Sequence, residues 1–395
     1  MSFKIAVIGG CGHVGLPLAM AFADRGCQVI SYDINPVAVD VVNSGTMPFL
    51  EPGSGSVMQR IREAGTFSAS TNPNVLTECD VLIVVVGTPV DEHLNPDAEA
   101  VPNAVAALSP YLRDGQLLVL RSTVYPGVTR LVQRRLAALG HKVDIAFCPE
   151  RIAEGRAFTE LYSLPQIVSG TSESAVARAT ELFGCLTAEI VETTPEEAEL
   201  AKLFTNTWRY IKFAAANQLY MIANDYGIDF EKVRHAITFN YPRATDMPGP
   251  GFAAGPCLFK DTMQLAAYNN NNFTLGNASM MVNEGLPLYL VSRMEKNFDL
   301  SQMTVGILGM AFKSESDDIR SSLSYKLRRI LKFKAKEVLC TDEYVATDSS
   351  LVSLTEVLDK SDILMIGAPH PGYRHIAPKV PVIDVWNLLG NGTVV

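Results

Sequence analysis

A short apolar run, Lys4–Ile8, leads into Gly10-Cys11-Gly12-His13-Val14-Gly15, and a helical run, Leu18–Arg25, follows at once. That order dictates a strand, a tight glycine turn and a helix laid back across the strand. In such a turn the first glycine allows the sharp reversal and the second lets backbone approach a diphosphate. The third lets helix and strand pack closely, and the helix dipole faces the phosphates. Alone the pattern is weak, and a turn that holds nothing is the alternative. Here Asp33 stands 18 positions past Gly15, at the end of the next strand-like run, Gln28–Tyr32. A carboxylate at that place binds the ribose diol of a dinucleotide. Its charge disfavours a 2′-phosphate, and no Arg or Lys follows closely, so NAD is expected over NADP. Gly10, Gly12, His13, Val14, Gly15 and Asp33 are the candidate cofactor contacts of this segment.

The alternation continues through Val81–Val86, Leu117–Leu120, Val143–Cys148, Gln166–Val168 and Glu189–Val191, with helical stretches between. Strands alternating with helices imply a parallel sheet covered on both faces. Near Pro195 the pattern becomes one long helical stretch, 196–226, with Leu200, Leu203, Phe204, Thr207, Trp208, Ile211, Ala215 and Leu219 at three- and four-residue steps. Its apolar surface is broad enough for a second subunit to share it; burial inside one subunit is the alternative. A Pro/Gly-rich segment (241–256) and further helix to about Phe298 follow, and then strand-like runs return at Thr304–Leu308, Glu337–Thr341, Ile363–Ile366 and Val382–Val385. The two ends rhyme, Gly9 with Gly309 and Asp33 with Asp342. The expected fold is α/β: two Rossmann-like, doubly wound parallel-sheet domains joined by a helical middle domain with a long central helix. The expected division is 1–195 for dinucleotide binding, 196–300 for a central dimerisation domain, and 301–395 for a second nucleotide-binding-like lobe.

With 33 Lys and Arg against 42 Asp and Glu, the net charge of −9 argues against nucleic acid or an anionic membrane as partner. No apolar run approaches the roughly 18 residues that span a bilayer. The start of the chain lacks the longer apolar stretch of a signal peptide, so a cytoplasmic location is expected. Seven widely spaced cysteines, with no C-x-x-C pair, suggest neither a disulfide framework nor a zinc site, and no metal is expected.

The most informative stretch runs from Gly251 to Asp261. Pro256 suits the first position of a helix, which places Cys257 in the first turn, where exposed N–H groups favour the thiolate. Asp261, four residues on, faces the same side. A second four-residue step pairs Lys202 with Asn206 on the long helix; if buried, an ammonium and an amide there suit an oxyanion, and a solvated face is the alternative. Thr88-Pro89, Ser122-Thr123 and Glu150 fall at carboxyl ends of strands, the edge where such sheets bind ligands. A carboxylate at Glu150 is placed to act as general base on water. Cys148 is read as a strand residue, not a nucleophile.

Together these segments resemble the nucleotide-sugar 6-dehydrogenase family, which includes UDP-glucose and UDP-N-acetylmannosamine dehydrogenases. The resemblance spans nearly the whole chain: the glycine loop with Leu16-Pro17, Glu51-Pro52-Gly53, Gly87-Thr88-Pro89, Ser122-Thr123-Val124, Pro149-Glu150, the Lys202/Asn206 helix, Gly251 to Asp261, and Gly309-Met310-Ala311-Phe312-Lys313 leading to Asp318-Ile319-Arg320. It implies oxidation of a sugar C6 alcohol to the uronate, with two hydrides passed to NAD and Cys257 carrying a thiohemiacetal and then a thioester. Lys202 and Asn206 would stabilise the oxyanion, Asp261 and Thr123 would move the proton through a water, and Glu150 would assist hydrolysis. Thr88, Ser122, Glu154 and Arg320 would contact the cofactor. Arg151, Gly251, Lys313 and Arg243 would contact a UDP-sugar, Arg243 across a homodimer, and the carboxyl-terminal lobe would hold the nucleotide diphosphate.

Glu150-Arg151-Ile152 departs from the Glu-Phe-Leu usual in UDP-glucose enzymes, and Ala253-Ala254-Gly255-Pro256-Cys257 departs from Gly-Gly-Ser-Cys. Both resemble the N-acetylhexosamine branch more, and the sugar stays open between the two. Asp384-Val385-Trp386-Asn387 replaces a motif that often contains arginine. Two other functions compete: a two-electron dehydrogenase of the hydroxyacid or 6-phosphogluconate type, which needs no cysteine, and a non-catalytic dinucleotide sensor.

Overall fold

The computed structural model describes residues 3–88, 91 and 97–395. The chain divides into two compact units, one up to Thr205 and one from Asn206 onward. The first runs β1 (Lys4–Ile8), α1 (Gly15–Asp24), β2 (Gln28–Tyr32), α2 (Pro36–Asn43), α3 (Ser54–Glu63), β3 (Phe67–Ser70), β4 (Val81–Val84), α4 (Ala100–Leu108), β5 (Leu117–Leu120), α5 (Val128–Ala138), β6 (Asp144–Phe147), α6 (Ala157–Ser163), β7 (Gln166–Gly170), α7 (Glu173–Gly184) and β8 (Ile190–Thr193). Helix α8 (Pro195–Asp225) continues into the second unit, which holds α9 (Phe230–Thr238), α10 (Leu258–Tyr268), α11 (Thr274–Asn297), β9 (Thr304–Leu308), α12 (Leu323–Leu331), β10 (Glu337–Thr341), α13 (Leu354–Lys360), β11 (Ile363–Ile366) and β12 (Val382–Ile383).

The strands of the first unit form one sheet in the order β3-β2-β1-β4-β5-β6-β7-β8. Alternate residues serve opposite faces, as the two-residue period of a strand requires. Ile5, Val7, Val81 and Ile83 enter one buried cluster with Leu18 and Phe22 of α1, whereas Ala6, Ile8, Leu82 and Val84 enter another with Val101 and Val132. Two covered faces are what the near-continuous apolar runs of β1, β4 and β5 demand. The expected doubly wound sheet is therefore present, with one difference in direction. Strands β6 and β7 pair antiparallel, through Ala146 with Gly170 and Phe147 with Ser169, and β8 then runs parallel to β7. Helix α6 lies between β6 and β7 in the chain. Strand β3 lay outside the expected set because Phe67-Ser68-Ala69-Ser70 has no apolar run; as the sheet's edge it pairs only with β2.

In the second unit a fully parallel sheet takes the order β10-β9-β11-β12. Val305, Ile307, Ile363 and Met365 share one core with Tyr220 of α8, Phe230 of α9 and Leu286 and Leu290 of α11. Leu308, Leu364 and Ile366 pack on the other face with Val357 and Tyr373. The helical middle and the carboxyl-terminal sheet thus close over a common interior. Among the described residues no helix is long and apolar enough to cross a membrane.

Candidate active site

In the first unit the glycine loop has the geometry its sequence implies. Gly9 adopts φ +76°, and its N–H and that of Gly10 both donate to Tyr32 O, at 2.9 and 3.1 Å. A Cβ on Gly10 would lie 2.8 Å from Ser31 Cα, and one on Gly15 would lie 2.3 Å from Gly9 O, so these two glycines serve the turn and the helix–strand contact. Gly12 is different: it is exposed, and a Cβ there would meet nothing nearer than Gly9 O at 3.6 Å. The protein's own packing does not require glycine at this position, and the bare backbone leaves space for a ligand. Helix α1 has Val14 as its N-cap, with no side-chain cap and no acidic residue in its first turn. An N-terminus left in this state suits a diphosphate. Asp33 accepts from Cys11 N at 3.1 Å and from Asn35 N at 3.0 Å, which fixes its carboxylate beside the loop. These residues fit a dinucleotide. His13 stacks on Phe49 with ring centroids 4.1 Å apart, and its Nε2 lies 3.8 Å from Glu154 Oε1. Glu51 accepts from Gly155 N and Ala157 N, both at 2.9 Å, so the Glu51-Pro52-Gly53 motif is a tether for the segment that carries Glu154.

At the carboxyl ends of β4 to β6, Ser122 Oγ donates to Val86 O and accepts from Val86 N, both at 2.8 Å, and so ties two loops together. Thr88 is buried and Thr123 half-buried; Pro89 lies outside the described residues. Glu150 is buried, and its carboxylate is fully engaged. Oε1 accepts from Arg151 N at 2.7 Å and Ile152 N at 2.9 Å; Oε2 takes Arg121 Nε at 2.8 Å and Nη2 at 2.6 Å. Four donors match the four lone-pair sites of a carboxylate. Arg121 itself is 1% exposed and also donates to Cys148 O and Gln166 Oε1. Sequence reasoning missed this residue, although an arginine closing the apolar run of β5 was a signal. The Arg151 guanidinium donates to Pro165 O and is half-buried. Lys202 is buried near the end of the first unit, four residues before Asn206 on α8.

The second unit holds the thiol. Helix α10 starts two residues later than expected: Cys257 is its N-cap, Pro256 precedes the cap, and Asp261 N donates to Cys257 O at 2.9 Å as the first helical bond. Cys257 is exposed at this helix start, where backbone N–H groups favour an anion. The contrast with other cysteines is sharp. Burial pushes the thiols of Cys11 and Cys148 up to about 12, and those of Cys27, Cys79 and Cys340 up to about 11, so all five stay protonated at neutral pH. Cys148 is the strand-end residue it was read to be. Asp261 is 0% exposed; its Oδ2 accepts from Asn206 Nδ2 at 2.6 Å. Its Oδ1 accepts no hydrogen bond, with Lys260 Nζ 3.4 Å away. The sequence paired Asn206 with Lys202 and Asp261 with Cys257; the fold adds the direct bond between Asn206 and Asp261.

Gly251 adopts φ +148° with the Trp386 ring where a Cβ would lie, and Gly255 adopts φ +101° against the Phe312 ring. Lys313 Nζ sits 5.5 Å over the Phe312 ring. Arg320 is exposed and forms a forked pair with the buried Asp318 carboxylate, the shortest contact being 2.6 Å. Arg243 is exposed, its Nε donating to Tyr241 Oη at 3.0 Å.

Comparison with known proteins places this arrangement in a class. Three models of the UDP-glucose/GDP-mannose dehydrogenase family match in order: the NAD binding domain at 3–187, the central domain at 196–285 and the UDP binding domain at 306–391. The UDP-N-acetyl-D-mannosamine dehydrogenase of Pyrococcus horikoshii is 31% identical, with 94% of this chain and 91% of that protein covered; that of Escherichia coli K12 is also 31% identical, with 95% and 96% covered. Among solved structures, the UDP-glucose dehydrogenase of Pyrobaculum islandicum superposes with a TM-score of 0.90 at 27% identity, covering 97% of this chain and 94% of that one. These matches define a dinucleotide-dependent oxidoreductase. The chain belongs to the UDP-glucose/GDP-mannose dehydrogenase family and is an NAD-type nucleotide-sugar dehydrogenase.

Proposed function

We propose that this protein oxidises the C6 alcohol of a UDP-N-acetylhexosamine, with UDP-glucose as the competing substrate, through four electrons to the uronate. The observation that carries this reading is Cys257, exposed at the start of α10, with the Asn206–Asp261 bond one turn further on. A two-electron dehydrogenase has no use for a thiol in that place. Relatives named UDP-N-acetyl-D-mannosamine dehydrogenase make UDP-N-acetylmannosamine the first sugar to test.

NAD, held by Gly10, Gly12, His13, Val14, Gly15 and Asp33 with Thr88, Ser122, Glu154 and Arg320, supplies a hydride acceptor when bound, twice per sugar. This chain's residues do the remaining work. Cys257 Sγ adds to the C6 aldehyde, so a C–S bond forms as the carbonyl π bond becomes an oxyanion. Lys202 and the Asn206 amide stabilise that charge. After the second oxidation the carbon is a thioester. Water then adds, its proton passing to Asp261 Oδ1 with Thr123, and the C–S bond breaks to release carboxylate and thiolate. One alcohol, one water and two NAD give one carboxylate, two NADH and three protons. Glu150 assists hydrolysis as a carboxylate held in place by Arg121. Arg151, Gly251, Lys313 and Arg243 contact the UDP-sugar, whose diphosphate the 301–395 lobe holds. Residues 1–195, 196–300 and 301–395 are the cofactor, thiol and nucleotide-sugar segments, and a cytoplasmic homodimer through α8 is the working assembly.

Incubation with UDP-N-acetylmannosamine, UDP-N-acetylglucosamine and UDP-glucose tests the reading. Two NADH per uronate are expected from the preferred sugar; one NADH per sugar, with no uronate, would contradict it.

A further inference from the structure

Asn217, on α8, is 1% exposed and holds one residue of the nucleophile loop by both its backbone N–H and its backbone carbonyl. Gly251 N donates to Asn217 Oδ1 at 2.8 Å, and Asn217 Nδ2 donates to Gly251 O at 3.0 Å. The second proton of Nδ2 goes to Asn283 Oδ1 at 2.9 Å, and Asn283 Nδ2 donates to Tyr210 O at 3.1 Å. The chain of bonds starts at a backbone donor and ends at a backbone acceptor, so the orientation of both amides is fixed. Every member is buried, where an unmatched partner costs most.

What this clamp holds is the root of the segment that presents the thiol. Gly251 has no room to shift toward the Trp386 ring, 2.2 Å from where a Cβ would sit. Trp386 is itself fixed by its Nε1 bond to Ile366 O at 3.2 Å. Four residues on, Gly255 N bonds Ser321 O, and Phe252 and Ala253 between them are buried. The backbone leading to Cys257 is therefore pinned from α8, from α11 and from the end of the second sheet.

We infer that Asn217 is a positioning residue for covalent capture: by holding Gly251 it keeps Cys257 where the aldehyde is intercepted before it can leave. This rests on the thiol mechanism proposed above. Capture and the steps after it depend on Cys257; the first hydride transfer does not. Loosening the clamp therefore separates the two: the alcohol loses hydride and proton to become the aldehyde, no C–S bond forms, and the aldehyde escapes.

The test follows NADH, uronate and aldehyde, the last trapped as an oxime with hydroxylamine, in wild type, Asn217→Asp and Asn283→Leu. Asn217→Asp keeps the acceptor for Gly251 N and loses the donor; Asn283→Leu leaves Asn217 but removes the group that orients it. For Asn217→Asp, uronate formation should fall by about a hundredfold, the loss typical of a misplaced reacting group. KM for the UDP-sugar should change little, the NADH-to-uronate ratio should rise above two, and oxime should accumulate. Asn283→Leu should leak in the same sense and less, and carries the test if Asn217→Asp does not fold. Loss of activity at an unchanged ratio with no oxime, in whichever variant folds, would overturn the inference, as would wild-type behaviour. Failure of the underlying mechanism would show separately, as one NADH per sugar from wild type.

Discussion

Arg121 and Glu150 show how much of a site can rest on one buried pair. Removing one partner of a buried ion pair leaves the other charge stranded, at a cost of about 3–5 kcal/mol. Arg121→Met should therefore lower the melting temperature markedly in a thermal scan, and the double variant Arg121→Met/Glu150→Leu should recover much of the loss. Equal melting of wild type and Arg121→Met would mean that the pair carries no net weight. The Asn206–Asp261 bond makes a different prediction. Asp261→Asn keeps an oxygen that can accept from Asn206 but removes the carboxylate proposed as base for the attacking water, so turnover to uronate should fall by about a hundredfold or more while NAD binding, followed by titration calorimetry, is retained. At this scale the sequence was informative about residue type and silent about partners. Cys257, Asp261 and Asn206 were legible because helix spacing is local. Arg121 with Glu150, and Asn217 with Gly251, were not, because each pairing is made by strands and helices far apart in the chain.

The two glycine–aspartate rhymes became one structural motif used twice. Gly9 and Gly309 both adopt positive φ and both donate to the end of the neighbouring strand, and Asp33 and Asp342 both accept N–H groups of the loop that follows. The second copy is closed. Asp342 accepts from Met310 N at 2.6 Å and Ala311 N at 2.9 Å, from Tyr344 N at 2.8 Å, and faces the fully buried His370 Nε2 at 3.0 Å, whose Nδ1 accepts from Glu315 N. Burial raises the Asp342 carboxyl, but the His370 and backbone bonds outweigh it and leave it below the ordinary carboxylate value. A carboxyl depressed on folding contributes stability above its unfolded value and loses it as pH falls through that value and below. Wild type should melt earlier at pH 3.5 than at pH 7, and Asp342→Asn should be destabilised at pH 7 and show a smaller acid loss; an undiminished acid loss in Asp342→Asn would place the effect elsewhere. Strands such as β1, β4, β5, β9 and β11 were legible because burial on both faces demands apolar runs. The antiparallel entry of β7 was not, since strand direction is written in hydrogen bonds and leaves no mark on composition.

At the scale of the molecule, α8 leaves a row of large apolar side chains in solvent: Phe204, Trp208, Leu219 and Ile222, with Trp208 58% exposed. An uncovered row of this kind on a 31-residue helix suits a second copy of the chain. Sedimentation should report a dimer, and Trp208→Glu should shift it toward monomer; a monomeric wild type would refute that assembly. The proposed chemistry joins carbon six of the sugar to one sulfur atom. Acid quenching during turnover with NAD and UDP-N-acetylmannosamine, followed by peptide mass mapping, tests it most directly. A sugar-nucleotide acyl group is expected on the peptide carrying Cys257 and none in Cys257→Ala, which should form no uronate; uronate made at the wild-type rate by that variant would rule out the covalent route.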